Sequence, residues 1–276
     1  MIWAEKNNSK LKIIRTRDQK LFSGADFLLD IGGVFDPDKN RFDHHQKGGA
    51  GSRENGVWYA TFGLVWSKYG ILISGNKEVA SQIEEKLVVA IDARDNGVNI
   101  PSHNELKEYR IIDFIFNLNI TSKESESLIP ERFKLAVLFA KNVLEREIFC
   151  LNSLILDKQE TEKIIDFQNS PSILILDIKI DWHEAVAKNP KIKFVVYPEK
   201  NNKDNKGWCI QAARGNLDDY NSNRAEFPIE WRGLRGPDLV KVSGVEDSIF
   251  CHNGGFFAVT ETKEGAVQMA QKALQI

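Results

Sequence analysis

The chain has 276 residues, 42% of them hydrophobic and 28% charged, and a formal net charge of −2. These figures describe an ordinary globular protein long enough for two cores, without the overall basicity that would advertise nucleic acid, although a local basic groove is compatible with them. No apolar run approaches the roughly 18 to 20 uncharged residues that a membrane helix needs, no signal-peptide build opens the chain, and three cysteines without a CxxC pair read as reduced thiols of a cytoplasmic protein rather than a disulfide frame. Residues 11–16 alternate enough to predict a strand, and 25–31 predict a second, more buried one. Gly32 and Gly33 break that strand, and a turn-rich loop delivers the chain to Asp43, His44 and His45. A glycine- and charge-rich stretch at 47–56 precedes a helix around 60–70, where Thr61 and Gly63 suggest a tightly packed start. Residues 78–93 carry Val79, Ile83, Leu87 and Ala90 at the spacing of an amphipathic helix, which Asn96-Gly97 is expected to stop.

Residues 103–166 read as mainly helical, and the segment 131–166 as a helical linker between lobes. Strand and helix then alternate again: a strand at 172–178, a short helix at 182–188, strands at 192–197 and 208–213 forming a hairpin across 200–207, a strand pair within 250–260, and a final amphipathic helix at 263–274. The expected architecture is α/β: a catalytic lobe with a parallel sheet over 1–130, the linker, and a smaller α/β lobe over 167–276.

Acidic and imidazole groups gather in the first lobe. Asp30 closes a predicted parallel strand, where open α/β sheets place their ligands. Asp43, His44 and His45 follow on the next loop, and Asp92 and Asp95 sit three apart on one helix face. Carboxylates and imidazoles together suit Mn²⁺, Mg²⁺ or Zn²⁺. Asp30, His44 and Asp92 are the candidate ligands, with Asp43, His45 and Asp95 behind them or facing substrate. Paired metals about 3.5 to 4 Å apart are the usual means of phosphoester hydrolysis. Read alone, the Asp-His-His triplet is also compatible with a polar loop, and Asp92 with Asp95 reads first as a helix cap.

Asp30-Ile31-Gly32-Gly33-Val34-Phe35-Asp36-Pro37, then Arg41-Phe42-Asp43-His44-His45-Gln46, then Asp92-Ala93-Arg94-Asp95-Asn96-Gly97 together resemble the Myg family, which is related to the DHH phosphoesterases. The likeness continues through Trp231-Arg232-Gly233-Leu234-Arg235, Val242-Ser243-Gly244 and 250–256 with His252. The resemblance implies a DHH-type catalytic lobe, a helical connection and a substrate-binding lobe, with Mn²⁺ or Mg²⁺ in a two-metal site. It implies phosphodiester hydrolysis, as an exonuclease on single-stranded RNA or short oligonucleotides; a pyrophosphatase or small-molecule phosphoesterase would share the metal site. Under it, Asp30, His44 and Asp92 (or Asp95) hold metal, His45 meets the scissile phosphate or leaving oxygen, Asp43 orients an imidazole, and Arg232, Arg235 and His252 contact phosphate. A cytoplasmic location is expected, and a nuclear or mitochondrial one fits a eukaryotic source. One departure stands out. The family's opening segment, of the type His-Asn-Gly-x-Phe-His-x-Asp-Glu, has no counterpart here, and His103 is no substitute. Either the native chain extends upstream, or it is a degenerate form that binds nucleotide or RNA without turnover. Trp182, Trp208 and Trp231 are candidates for stacking on bases, or plain core.

Overall fold

The computed structural model describes residues 1–98, 109–199, 207–219 and 221–275; His103 and positions 200–206 of the turn expected at 200–207 lie outside the described residues. The chain divides into two compact units, Met1–Asn152 and Ser153–Ile276. Each is an α/β arrangement holding one mixed sheet.

The first unit opens with α1 (Ile2–Lys6). Residues 11–16 form no strand, against expectation. Alternation supplies an apolar face, but a strand also needs a neighbour for its backbone groups. None pairs with this segment among the described residues, and Leu11, Ile13 and Ile14 stay about half exposed. The sheet consists of β1 (Leu28–Leu29), β2 (Phe35–Asp36) and β3 (Arg41–Phe42), in the order β1-β3-β2. β1 runs parallel to β3, pairing Leu28 with Arg41 and Leu29 with Phe42, whereas β2 is antiparallel to it. The sheet is therefore mixed where a parallel one was expected, because the 3₁₀ turn Pro37–Lys39 folds β2 straight back onto β3. The strand expected over 25–31 stops at Leu29, since Asp30 turns into the left-handed region (φ +61°) ahead of Gly32 (φ +101°) and Gly33 (φ +66°).

Three helices follow, the first packed against β3 and the other two against the first. α2 (Thr61–Ser74) buries Gly63, Leu64, Trp66, Tyr69, Gly70 and Ile73, the recurrence of a one-sided helix. Its Tyr69 hydroxyl and Lys68 ammonium both donate to Asn40 Oδ1, at 2.5 and 2.8 Å, which ties α2 to the turn before β3. α3 (Lys77–Ile83) begins at Asn76, whose side chain caps the Glu78 amide at 2.8 Å. A π turn, Glu84–Val88, joins α3 to α4 (Val89–Asp95). The expected helix at 78–93 is thus one continuous run with a wide turn inside it. Asn96 and Gly97 (φ +77°) stop it as expected. After α5 (Ile111–Asn117) comes the long α6 (Ile129–Phe167), and the division between the units falls inside it.

The second unit is built on β4 (Ile173–Ile175), α7 (His183–Ala187), β5 (Phe194–Pro198), β6 (Trp208–Ala212), α8 (Gly236–Ser243), β7 (Ser248–Cys251), β8 (Phe257–Thr260) and α9 (Lys263–Ala273). The sheet order is β4-β5-β6-β8-β7, with β4 and β5 parallel and the other pairs antiparallel. Phe194 and Val196 face one core together with Phe227, Trp231, Leu239 and Met269. Val195 and Tyr197 face the other, with Ile165, Leu174, Trp182 and Val186. Burial on both faces explains why β5 is almost uninterrupted apolar sequence; each such side chain contributes about 1.5 to 3 kcal/mol over an exposed one. The same packing corrects the stacking expectation: Trp182 and Trp231 are each only 3% exposed and belong to the cores. Trp208 is half-buried on β6, with the Lys263 ammonium 5.6 Å from its ring.

Candidate active site

The break after β1 and the loop after β3 bring the predicted residues to one point. Asp30 N–H completes the β1–β3 ladder by donating to the Phe42 carbonyl at 2.9 Å, so its side chain stands beside the residues that follow Phe42. Asp30, His44 and His45 each offer a ligand atom, and these atoms lie within 4.8 Å of one another. His44 Nε2 is 3.5 Å from Asp30 Oδ1 and 3.1 Å from Asp95 Oδ2. The His44 side chain is 8% exposed, yet its Nε2 has no aligned hydrogen-bond partner despite those two carboxylates. A buried imidazole nitrogen surrounded by carboxylate oxygens, but bonded to none, fits a cation-binding role. Thr61, the first residue of α2, donates its hydroxyl to Asp30 Oδ1 at 2.9 Å. The left-handed backbone of Asp30 adds local strain at the same spot.

Asp43 stands behind the cluster and is buried. It accepts the Gly33 amide at 2.6 Å, the His45 amide at 3.1 Å and His45 Nδ1 at 2.6 Å. Burial raises its carboxyl pKa, but the Gly33 amide and the His45 ring and amide outweigh that and hold it below the ordinary value. The same hydrogen bond pushes the His45 imidazole up, with the charges of Asp43, Asp30 and Asp95 adding to it against desolvation. With Nδ1 occupied by Asp43, the other ring nitrogen of His45 is left for a substrate.

Asp92 requires a correction. The structure separates it from the cluster, although it lies one helical turn from Asp95. It is fully buried, accepting the Gly63 amide at 3.0 Å on one oxygen and Arg53 Nη2 at 2.7 Å on the other. With both oxygens engaged, it is Asp95 that reaches His44. Arg53 also holds Glu84 at 2.6 Å and stacks 4.1 Å over the Tyr59 ring. Desolvation works to lower the pKa of Arg53, but the hydrogen bonds it donates to Asp92 and Glu84 outweigh this and hold it above the ordinary value, so it stays charged. Sequence reasoning missed Arg53 because nothing distinguishes it among the charges of 47–56, and it took Thr61 and Gly63 for packing residues only.

The second unit holds Arg232, Arg235 and His252. The Gly233 amide donates to the Cys251 carbonyl at 3.0 Å and the Cys251 amide to the Leu234 carbonyl at 3.1 Å, which lays the Arg232–Arg235 stretch along β7. Arg232 is committed internally: Nε donates to the Phe227 carbonyl at 2.9 Å and Nη2 to Glu226 at 2.8 Å. Its expected phosphate contact is corrected to a loop tie, and a Cβ at Gly255 would overlap its guanidinium. Arg235 is exposed and stacks 4.2 Å over Phe250. His252 Nδ1 accepts the Gly254 amide at 3.0 Å, which leaves its proton on Nε2, and its ring lies 4.5 Å from that of Phe256. Arg235 and His252 thus remain as outward donors for an anion.

The structure therefore presents an α/β protein with a carboxylate–imidazole cluster at the end of a parallel strand pair. The family model MYG1_exonuc, described as "Uncharacterised protein family (UPF0160)", matches residues 1–274, and the chain belongs to this family. A MYG1 protein of Caenorhabditis elegans is 29% identical over 296 residues, covering 96% of this chain and 86% of the relative. One from Chlamydia pneumoniae is 28% identical over 283 residues, covering 96% and 87%. A human relative named MYG1 exonuclease is 27% identical over 297 residues, covering 95% of this chain and 78% of its own length. No solved structure matches the chain.

Proposed function

We propose that the protein is a divalent-metal-dependent phosphodiester hydrolase, an exonuclease acting on single-stranded RNA or short oligonucleotides. The convergence of Asp30, His44 and His45 carries this reading, and the exonuclease name of the human relative supports it. Mn²⁺ or Mg²⁺, when bound, lowers the pKa of an attacking water and neutralises charge on phosphorus. Asp30, His44 and Asp95 hold the ion, with Thr61 fixing the Asp30 carboxylate. Asp43 keeps the His45 ring in place and favours its protonated form, so His45 donates a hydrogen bond to the scissile phosphate or a proton to the leaving oxygen. Arg235 and His252 bind phosphate oxygens, Arg235 in the forked geometry of guanidinium.

Burial removes Trp182 and Trp231 as stacking faces for bases, and the length of the substrate is what the next experiment decides. End-labelled single-stranded RNA and a dinucleotide, incubated with Mn²⁺ or with a chelator, test both points. Mn²⁺-dependent release of mononucleotides, lost in His44→Ala, is expected. Salt-sensitive RNA binding without turnover under all conditions would overturn the hydrolase and leave a nucleotide- or RNA-binding protein.

A further inference from the structure

We infer that Arg53 and Asp92 form a buried clamp that positions the cation cluster without touching the cation. The inference rests on the metal-centre reading above. Two contacts of the cluster come from two different helices: Thr61 at the start of α2 bonds Asp30, and Asp95 at the end of α4 approaches His44. Asp92 joins those helices at the point where they deliver these groups. Its Oδ1 takes the Gly63 amide, two residues beyond Thr61, and Asp92 itself lies one turn before Asp95. Arg53, 8% exposed in its side chain, then fastens Asp92 to Glu84 in the π turn at 2.7 and 2.6 Å. No slack is left, because a Cβ at position 63 would overlap both the Asp92 carboxylate and the Arg53 guanidinium. Catalytic groups must be held to a fraction of an ångström, and locked supporting residues do this. An ordinary ion pair between helices would stabilise the fold alone; this one also fixes the distance between Asp95 and His44.

Arg53 and Asp92 are therefore positioning residues, and their loss affects cation affinity beyond any loss of stability. Mn²⁺ titration calorimetry on the whole protein and on Arg53→Lys, Asp92→Asn, Glu84→Gln and His44→Ala tests this, alongside thermal melting in chelator. Lysine keeps the charge but cannot bridge Glu84 and Asp92 as the planar fork does. Arg53→Lys is expected to melt cooperatively yet bind Mn²⁺ at least about tenfold more weakly, the scale on which supporting partners of metal ligands act. Glu84→Gln removes one contact only; it is expected to show a smaller loss in the same direction, and it decides the matter if the other two variants do not fold. If the folded clamp variants bind Mn²⁺ as the native protein does while His44→Ala does not, the clamp is overturned and the metal centre stands. If the native protein binds no better than His44→Ala, the metal centre falls and the positioning role falls with it.

Discussion

Two short turns in different units have the same local chemistry and different surroundings. In Asp43-His44-His45 and in Asp181-Trp182-His183, the amide of the last histidine donates to the aspartate Oδ1 at 3.1 Å. In both, that histidine's Nδ1 faces the same oxygen, at 2.6 Å in the first and 3.3 Å in the second. The middle residue separates them. His44 turns toward Asp30 and Asp95, whereas Trp182 enters the core with the His183 ring stacked 4.0 Å against it. The aspartates differ as well: Asp43 is 3% exposed in its side chain and also holds the Gly33 amide, while Asp181 is 41% exposed. An Asp-x-His turn is thus a common local hydrogen-bonding unit. It joins a candidate metal centre only where strand ends and helix ends bring further ligands to it, and among the described residues only the first turn does so.

Substitution can sharpen this contrast. His44→Ala is expected to reduce Mn²⁺-dependent cleavage of labelled RNA by more than about a hundredfold, because even outer partners of metal ligands cost ~10–100-fold; His183→Ala should leave the rate within about twofold, and equal losses would erase the distinction. Asp43→Asn should lower cleavage by about 10- to 100-fold through misplacement of His45, with Asp181→Asn as the neutral counterpart in the same assay. Gly63→Ala tests the crowding around Asp92 and should destabilise the protein by about 1 to 3 kcal/mol in urea titrations. Arg235→Ala should raise KM for the dinucleotide by several-fold with kcat little changed, which marks a binding contact rather than a transition-state one.

The smallest effect expected is on pH dependence in the metal-free protein. The Asp43 carboxyl is depressed below 3.8, so its contribution is present above that value and is lost as pH falls through its folded value. The His45 imidazole is raised above 6.5, so its contribution is complete below that value and fades as pH rises through its folded value. The pair should therefore stabilise the first unit most between these limits. Asp43→Asn should flatten the decline in urea midpoint on the alkaline side; an unchanged profile would mean that the pair contributes nothing.

Where a property follows from neighbours in sequence, the chain could be read directly. Helix α2 is visible in the apolar run that opens at Thr61 and Gly63, the end of α4 in Asn96-Gly97, and β5 in its run of buried apolar residues. Asp30, His44 and His45 were identifiable because glycines break the strand just beyond Asp30 and the two histidines are adjacent. Residues 11–16 were misread because alternation says nothing about whether a partner strand exists. Asp92 and Asp95 share one helix face, and only the third-dimension neighbours decide between them: Arg53 and Gly63 take the first, which leaves His44 to the second. Arg232 was likewise indistinguishable from Arg235 until the loop at 226–227 showed which guanidinium was already in use.

The π turn at Glu84–Val88 has a consequence for how this sequence tolerates change. A wide turn holds one more residue than an α-helix would use over the same rise, and such turns are frequent at functional sites. Deleting one residue there would yield a more regular helix with a better local hydrogen-bond pattern. Because the turn absorbs that residue locally, the deletion would leave Asp92 and Asp95 in their present phase, facing Gly63 and His44. The irregularity works as a phase adjuster: it takes up a length difference that, carried along a regular helix, would turn Asp92 and Asp95 by about 100° away from Gly63 and His44.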